Sequence, residues 1–177
     1  MKTYKIAAIP ADGIGPEVIA AGLQAIETLA KRDGGFTLDV TQFDWGSDRY
    51  KQTGALMPED GTEQLKKFDA IFFGAVGAPD VPDHVTLWGL RLPICQGFDQ
   101  YANVRPTRIL PGISSPLADV GPGDLDWVIV RENSEGEYSG HGGRAHKGMP
   151  EEVGTEVAIF TRVGVTRIMR YAFQLAQ

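Results

Sequence analysis

Tyr4-Lys5-Ile6-Ala7-Ala8-Ile9-Pro10-Ala11-Asp12-Gly13-Ile14-Gly15-Pro16-Glu17 is the stretch that decides the fold. Tyr4 to Pro10 is a short apolar run bounded by a turn, the pattern of a buried strand. Asp12, Gly13 and Gly15 make the turn. Pro16 then stands where a helix begins, because its fixed φ suits the first turn and its missing N–H would have no partner there anyway. Strand, glycine loop and helix open a parallel α/β layer. The spacing Gly13-x-Gly15 followed by Pro16 and Glu17 does not fit G-x-G-x-x-G, so a Rossmann dinucleotide fold is set aside. Two uses of the turn stay open: a tight chain reversal, or a place where a ligand meets bare backbone at a helix N-terminus.

Outward from this unit, Pro16 to Arg32 carries Val18, Ile19, Leu23, Ile26 and Leu29 close to a helical period, and Asp33-Gly34-Gly35 ends it. Phe36 to Phe43 alternates Phe36, Leu38 and Val40 with polar neighbours, as a half-exposed strand does. Pro58 opens a short helix over Glu59 to Lys67, with Leu65 and Phe68 turned inward. Asp69 to Val76 is a third strand, apolar on both faces, that empties into Gly74-Ala75-Val76-Gly77-Ala78-Pro79. Apolar strands alternating with amphipathic helices predict a parallel sheet covered on both sides.

Beyond Pro79 the texture changes. Prolines at 79, 82, 93, 106, 111, 116 and 122 cut the chain into short pieces, and a boundary near residue 100 is expected. The division reads as residues 1–99 in an α/β domain and residues 100–177 in a second one. In the latter, Asn103 to Pro106 reads as a turn, Asp126 to Val130 as an apolar strand and Ser139 to Met149 as an exposed glycine-rich loop. Val153 to Thr161 reads as a strand, and Arg162 to Gln177 as a helix with Val165, Ile168, Met169, Ala172 and Leu175 at helical spacing. That last helix has no glycine cap or proline stop, so the reading expects a chain cut off within it.

Composition narrows the classes. With 177 residues, 42% hydrophobic and 23% charged, the chain can bury a moderate core in the ordinary globular range. A net charge of −6 leaves no basic stripe for nucleic acid. The apolar runs fall short of the roughly 20 residues of a membrane span, and no secretion signature precedes Asp12. Cys95 is the one cysteine, which excludes an intrachain disulfide and suits a reducing, cytoplasmic setting. His84, His141 and His146 lack the mutual spacing of a metal site except for the five-residue gap between the last two, which falls in the glycine-rich loop.

Chemistry concentrates in three side chains. Arg105 precedes a proline that keeps its backbone extended, and Arg131 stands where an apolar strand meets solvent. Each guanidinium is a rigid, permanently charged fork matched to a carboxylate. Tyr138 follows closely, and a phenol that stays protonated at neutral pH can donate its proton. Taken singly, the arginines read as surface ion pairs and the tyrosine as a packed ring. Together they suggest a site for a small polycarboxylic acid. Gly74-Ala75-Val76-Gly77, after a buried strand, lies where open α/β sheets bind ligands, although a plain turn after a strand reads equally well.

The segments Ile9 to Glu17, Phe73 to Gly77, Tyr101 to Pro106 and Val130-Arg131-Glu132-Asn133-Ser134-Glu135-Gly136-Glu137-Tyr138 together resemble the metal-dependent, β-decarboxylating 2-hydroxyacid dehydrogenases. This family includes isopropylmalate, isocitrate, tartrate and D-malate dehydrogenases. Pro82 to Gly89 and Phe98 to Tyr101 look most like its tartrate and D-malate branch. The resemblance implies an isopropylmalate dehydrogenase-like mixed open sheet with flanking helices, distinct from the Rossmann fold, and subunits paired as a homodimer through the second domain. It implies NAD-dependent oxidation of a small dicarboxylate, with Mg²⁺ or Mn²⁺ polarising the 2-oxo group during decarboxylation. Arg105 and Arg131 match the carboxylate-holding arginines, and Tyr138 the tyrosine that protonates the enolate carbon. Gly74, Ala75, Val76, Gly77, Thr86 and Leu87 match the nicotinamide region.

Two departures accompany the resemblance. Cys95 occupies the position where a third substrate arginine is expected, and a neutral thiol cannot hold a carboxylate as guanidinium does. Arg91, four residues earlier, would lie on the same face if the segment is helical. The family's lysine, its metal-binding aspartates and its adenine-side NAD loop are expected beyond Gln177, so no metal ligand is assigned within this chain. The resulting expectation is an N-terminal half of a tartrate or D-malate type enzyme, impaired or inactive alone. An isopropylmalate-type enzyme and a non-catalytic subunit that pairs with a complete homologue are the alternatives.

Overall fold

A computed structural model of the chain describes residues 1–177. It comprises two compact units, Met1–Gly97 and Phe98–Gln177. In the first, β1 (Lys2–Ala11) is the central strand, flanked in parallel by β2 (Phe36–Gln42) and β3 (Ala70–Ala75). The central position buries Ala7, Ala8 and Ile9 completely. Helix α1 (Gly15–Asp33) lies on this sheet because small residues let it come close: a Cβ on Gly15 would strike the Pro10 carbonyl oxygen, and one on Gly22 would strike the Phe72 ring. Gly34, at φ 74°, ends α1 and donates its N–H to Ala30. Of the residues that set the helical period, Ile19 is buried, whereas Val18, Ile26 and Leu29 are exposed.

Two helical segments differ from expectation. Helix α2 (Ser47–Thr53) was not foreseen, and α3 (Gly61–Leu65) is shorter than Glu59 to Lys67. Trp45, Leu56 and Leu65 are buried beside them, with the Phe43 ring packed on Trp45 and Phe68. The proline-rich stretch is also more regular than expected. Helix α4 (Asp83–Thr86), a π-turn over Leu87–Arg91 and α5 (Leu92–Gly97) form one helical run. Pro93 has no N–H to give to an i−4 carbonyl, and the wider turn just before it, closed by the Leu92 N–H on the Leu87 carbonyl, accommodates its ring. Leu90, Leu92 and Ile94 bury one side of this run.

The second unit holds two antiparallel ribbons and a helix. β4 (Ala102–Arg108) pairs with β5 (Asp126–Glu132), β6 (Gly136–Ala145) pairs with β7 (Val153–Ile159), and α6 (Arg162–Ala176) follows. Asn103 to Pro106 is therefore strand, not turn. Pro106 is tolerated because a two-stranded ribbon leaves edges where a missing donor costs nothing. Ser139 to Met149 is likewise mostly strand rather than loop. Gly142 lets the two backbones close in, since a Cβ there would lie 2.2 Å from the Thr155 carbonyl oxygen. Parallel and antiparallel pairing thus occur in separate sheets.

Candidate functional site

In the β4–β5 ribbon, Asn103 lies opposite Arg131 and Arg105 opposite Ile129. Directly opposed residues of an antiparallel pair share a face, as do alternate residues along a strand. Arg105 and Arg131 are consequently on the same face, as diagonal neighbours at roughly 7–8 Å. Arg105 is exposed and Arg131 half-buried. The Arg131 guanidinium donates through Nη2 to the Tyr138 hydroxyl and lies 4.9 Å from the centre of that ring. The structure joins Arg131 to Tyr138 and sets Arg105 on the same ribbon face as Arg131.

Between Arg131 and Tyr138 lies an acidic turn with its own frame of hydrogen bonds. Glu132 accepts the backbone N–H groups of Ser134 at 2.9 Å and Glu135 at 2.6 Å, together with the Ser134 hydroxyl. Burial works against its charged form, but these donors outweigh burial and hold its carboxyl below the usual range. Buried Asn133 ties the same turn to the preceding segment, its N–H on the Tyr101 carbonyl and its side-chain amide on that of Gln100. Glu135 receives the Thr161 N–H at 2.8 Å and hydroxyl at 2.6 Å, while Thr161 caps α6 by accepting the Gly164 N–H. Arg167, on α6, completes the frame through Asp99 and Ser134. The Val130 to Tyr138 motif contained Glu132, Asn133, Ser134 and Glu135 without a role for them, and Arg167 was not singled out.

The remaining predicted residues belong to the first unit. Asp12, in the opening turn, is a buried carboxylate that accepts the Ser47 N–H at 2.7 Å, the Ser47 hydroxyl at 2.6 Å and the Gly77 N–H at 2.8 Å. It fastens the start of α2 and the loop after β3 to the end of β1. Gly74 uses its bare Cα for packing, because a Cβ there would lie 2.2 Å from the Pro10 carbonyl oxygen and 3.1 Å from the Gly15 Cα. Gly77, at φ 135°, leaves open space where a Cβ would stand, although its N–H is held by Asp12. Ala75 and Val76 are half-buried between them. Thr86 is buried with its hydroxyl on the Asp83 carbonyl, and Leu87 begins the π-turn. Arg91 ends that turn and Cys95 lies in α5, so the segment carrying both is helical; each is half-buried.

A family model described as isocitrate/isopropylmalate dehydrogenase matches residues 5–177. The chain belongs to this family. It is 82% identical over its whole length to a probable tartrate dehydrogenase/decarboxylase of Agrobacterium vitis, covering 49% of that protein. It is 54% identical to the decarboxylating D-malate dehydrogenase of Escherichia coli strain K12, again with 100% of this chain and 49% of the relative covered. The chain spans about half the length of the curated relatives it matches. Among solved structures, isocitrate dehydrogenase from Methylococcus capsulatus superposes with a TM-score of 0.75 at 29% identity, over 98% of this chain and 47% of that one. A β-decarboxylating dehydrogenase from Thermococcus kodakarensis in its apo form gives 0.63 at 30% identity, over 97% and 45%. These likenesses support the isopropylmalate dehydrogenase-like α/β fold and an oxidoreductase family, and they carry the likeness to the tartrate and D-malate branch.

The family's two cofactors fare differently when tested on the residues present. No three His, Cys, Asp or Glu side chains cluster to hold a metal ion. These residues do not fit a Mg²⁺ or Mn²⁺ centre. For a nicotinamide, the open space at the Gly77 Cα leaves room for a flat ring, while Gly74 is consumed by packing. No helix is long and apolar enough to cross a membrane.

Proposed function

We propose that this chain supplies the substrate-holding and proton-donating part of an NAD-dependent dehydrogenase for a small 2-hydroxy dicarboxylic acid such as tartrate or D-malate. The observation that carries the reading is the β4–β5 register, which sets Arg105 and Arg131 on one face with the Tyr138 hydroxyl on the Arg131 guanidinium. Two cationic forks rooted on one face of a ribbon are suited in kind to the two carboxylates of a small diacid. NAD, when bound, would accept the hydride from C2, while the C2 hydroxyl proton would pass to water. As the β-carboxylate leaves as CO₂, its bonding pair stays on the adjacent carbon, and Tyr138 gives its hydroxyl proton to that carbon. Arg131 then faces the oxygen left negative, where a fixed cation stabilises the developing charge. Loop 74–77 with Thr86 and Leu87 forms the nicotinamide side, with Gly77 as its contact. The cytoplasmic setting and homodimer pairing through the second unit are part of the same proposal.

The test is calorimetric titration of the 177-residue chain with D-malate, tartrate and isopropylmalate, repeated with Arg105→Met and Arg131→Met. Each substitution is expected to weaken binding of the four-carbon acids by about tenfold or more, the worth of a charge-assisted hydrogen bond. Unchanged affinity in both variants would overturn the assignment. With no acidic cluster for a divalent ion among these residues, the chain alone is expected to reduce no NAD with Mn²⁺ present.

A further inference from the structure

Arg167 lies on α6, well outside the Val130 to Tyr138 segment, yet one of its three contacts falls within it. Nη1 donates to both carboxylate oxygens of Asp99 at 2.9 Å, Nη2 donates to the Ser134 hydroxyl at 2.9 Å, and the guanidinium lies 4.4 Å over the Tyr101 ring. A hydroxyl has one proton to give. Accepting from Arg167 leaves the Ser134 proton for Glu132, which receives it together with the Ser134 and Glu135 N–H groups. Glu132 adjoins Arg131 at the end of β5. The polarity of this relay is therefore fixed from the helix to the strand. Asp99 is mostly exposed, with 69% of its side chain accessible against 27% for Arg167. Water screens that ion pair, so Ser134 is the contact with consequence for the strand end.

We propose that Arg167 is a positioning residue, holding the Arg131–Tyr138 pair in its orientation through Ser134 and Glu132. Its functional meaning rests on the diacid reading above, but the geometric claim does not. A lysine would not serve, because one ammonium cannot reach Asp99 and Ser134 while lying flat on Tyr101.

The experiment is side-chain NMR of the full 177-residue chain, following the Tyr138 ring and Arg131 Nε signals in Arg167→Met, Ser134→Ala, Ser134→Thr and Asp99→Asn, with D-malate titrations alongside. Arg167→Met and Ser134→Ala should each move both signals toward solvent-averaged positions, and the double variant should go no further than either single. Ser134→Thr, which keeps the hydroxyl, should restore them, and Asp99→Asn should leave them near their original positions. Loss of D-malate affinity by about fivefold, the size of one ordinary hydrogen bond, should accompany the NMR change. If Arg167→Met fails to fold, the Ser134 pair still decides. Unmoved signals in Ser134→Ala, or movement in Asp99→Asn as large as in Arg167→Met, would overturn the proposal. If the parent chain binds no diacid while the NMR pattern holds, the diacid reading fails and the positioning role stands.

Discussion

Replacing Asp12 probes the junction on which the first unit turns. Its carboxylate is 8% exposed and holds three donors, two of them on Ser47, which is 1% exposed. In Asp12→Ala the Gly77 N–H, on an exposed loop, regains water, but the two Ser47 donors stay buried. The hydroxyl can rotate toward another acceptor, whereas the N–H cannot move. A bond to a charged acceptor is worth about 1.5–3 kcal/mol and an orphaned buried donor costs about 1–3 kcal/mol, so a loss near 3 kcal/mol is expected. Asp12→Asn keeps one oxygen for the Ser47 N–H and offers an amide that the Ser47 oxygen can accept, so about half that loss is expected. The assay is urea unfolding followed by fluorescence of Trp45, which is buried two residues before Ser47. A loss below about 1 kcal/mol in Asp12→Ala, or equal losses in the two variants, would refute the account of this carboxylate as a buried fastening.

Gly74→Ala should destabilise by about 3 kcal/mol or more, because its Cβ meets backbone at 2.2 Å that cannot yield. Gly143→Ala, with nothing within 4 Å, should stay within about 0.5 kcal/mol in the same denaturant assay. Glu132 titrates below its usual range in the folded chain. It therefore contributes stability that is complete above the unfolded value of about 4.3. That contribution shrinks as pH falls and is lost once pH has passed below the folded value. Glu132→Gln should flatten the dependence, and unfolding curves of identical acid slope in the two proteins would contradict it. Cys95→Arg should raise affinity for D-malate by about tenfold if this position meets a substrate carboxylate, and calorimetry showing no gain would remove it from the site.

The opening strand, loop and helix were legible because every signal is local: the apolar run, the two glycines, Pro16 and the Gly34 cap. Helix α2 was not, since the acceptor that fixes its first N–H is Asp12, 35 residues earlier. Strand β4 was misread for a related reason. Asn103 and Pro106 carry turn chemistry, and only pairing with Asp126–Glu132 makes the segment a strand. Glycines disguised β6 in the same way, because their value lies in closeness to β7. Arg105, Arg131 and Tyr138 stood out by residue type. The frame around them did not, since Glu135–Thr161 and Ser134–Arg167 exist only after α6 has folded against the turn.

The π-turn before Pro93 gives the helical run from Asp83 to Gly97 an adjustable phase. Each residue of an α-helix advances about 100° around the axis, so the wide turn swings everything upstream relative to everything downstream. Thr86 and Leu87 sit on one side of that swing and Cys95 on the other. Deleting a single residue within 87–91 would rewind the turn and present a different azimuth at one end while the other stayed anchored by Leu92 and Ile94. A one-codon change here can retune which groups point together without any substitution among them.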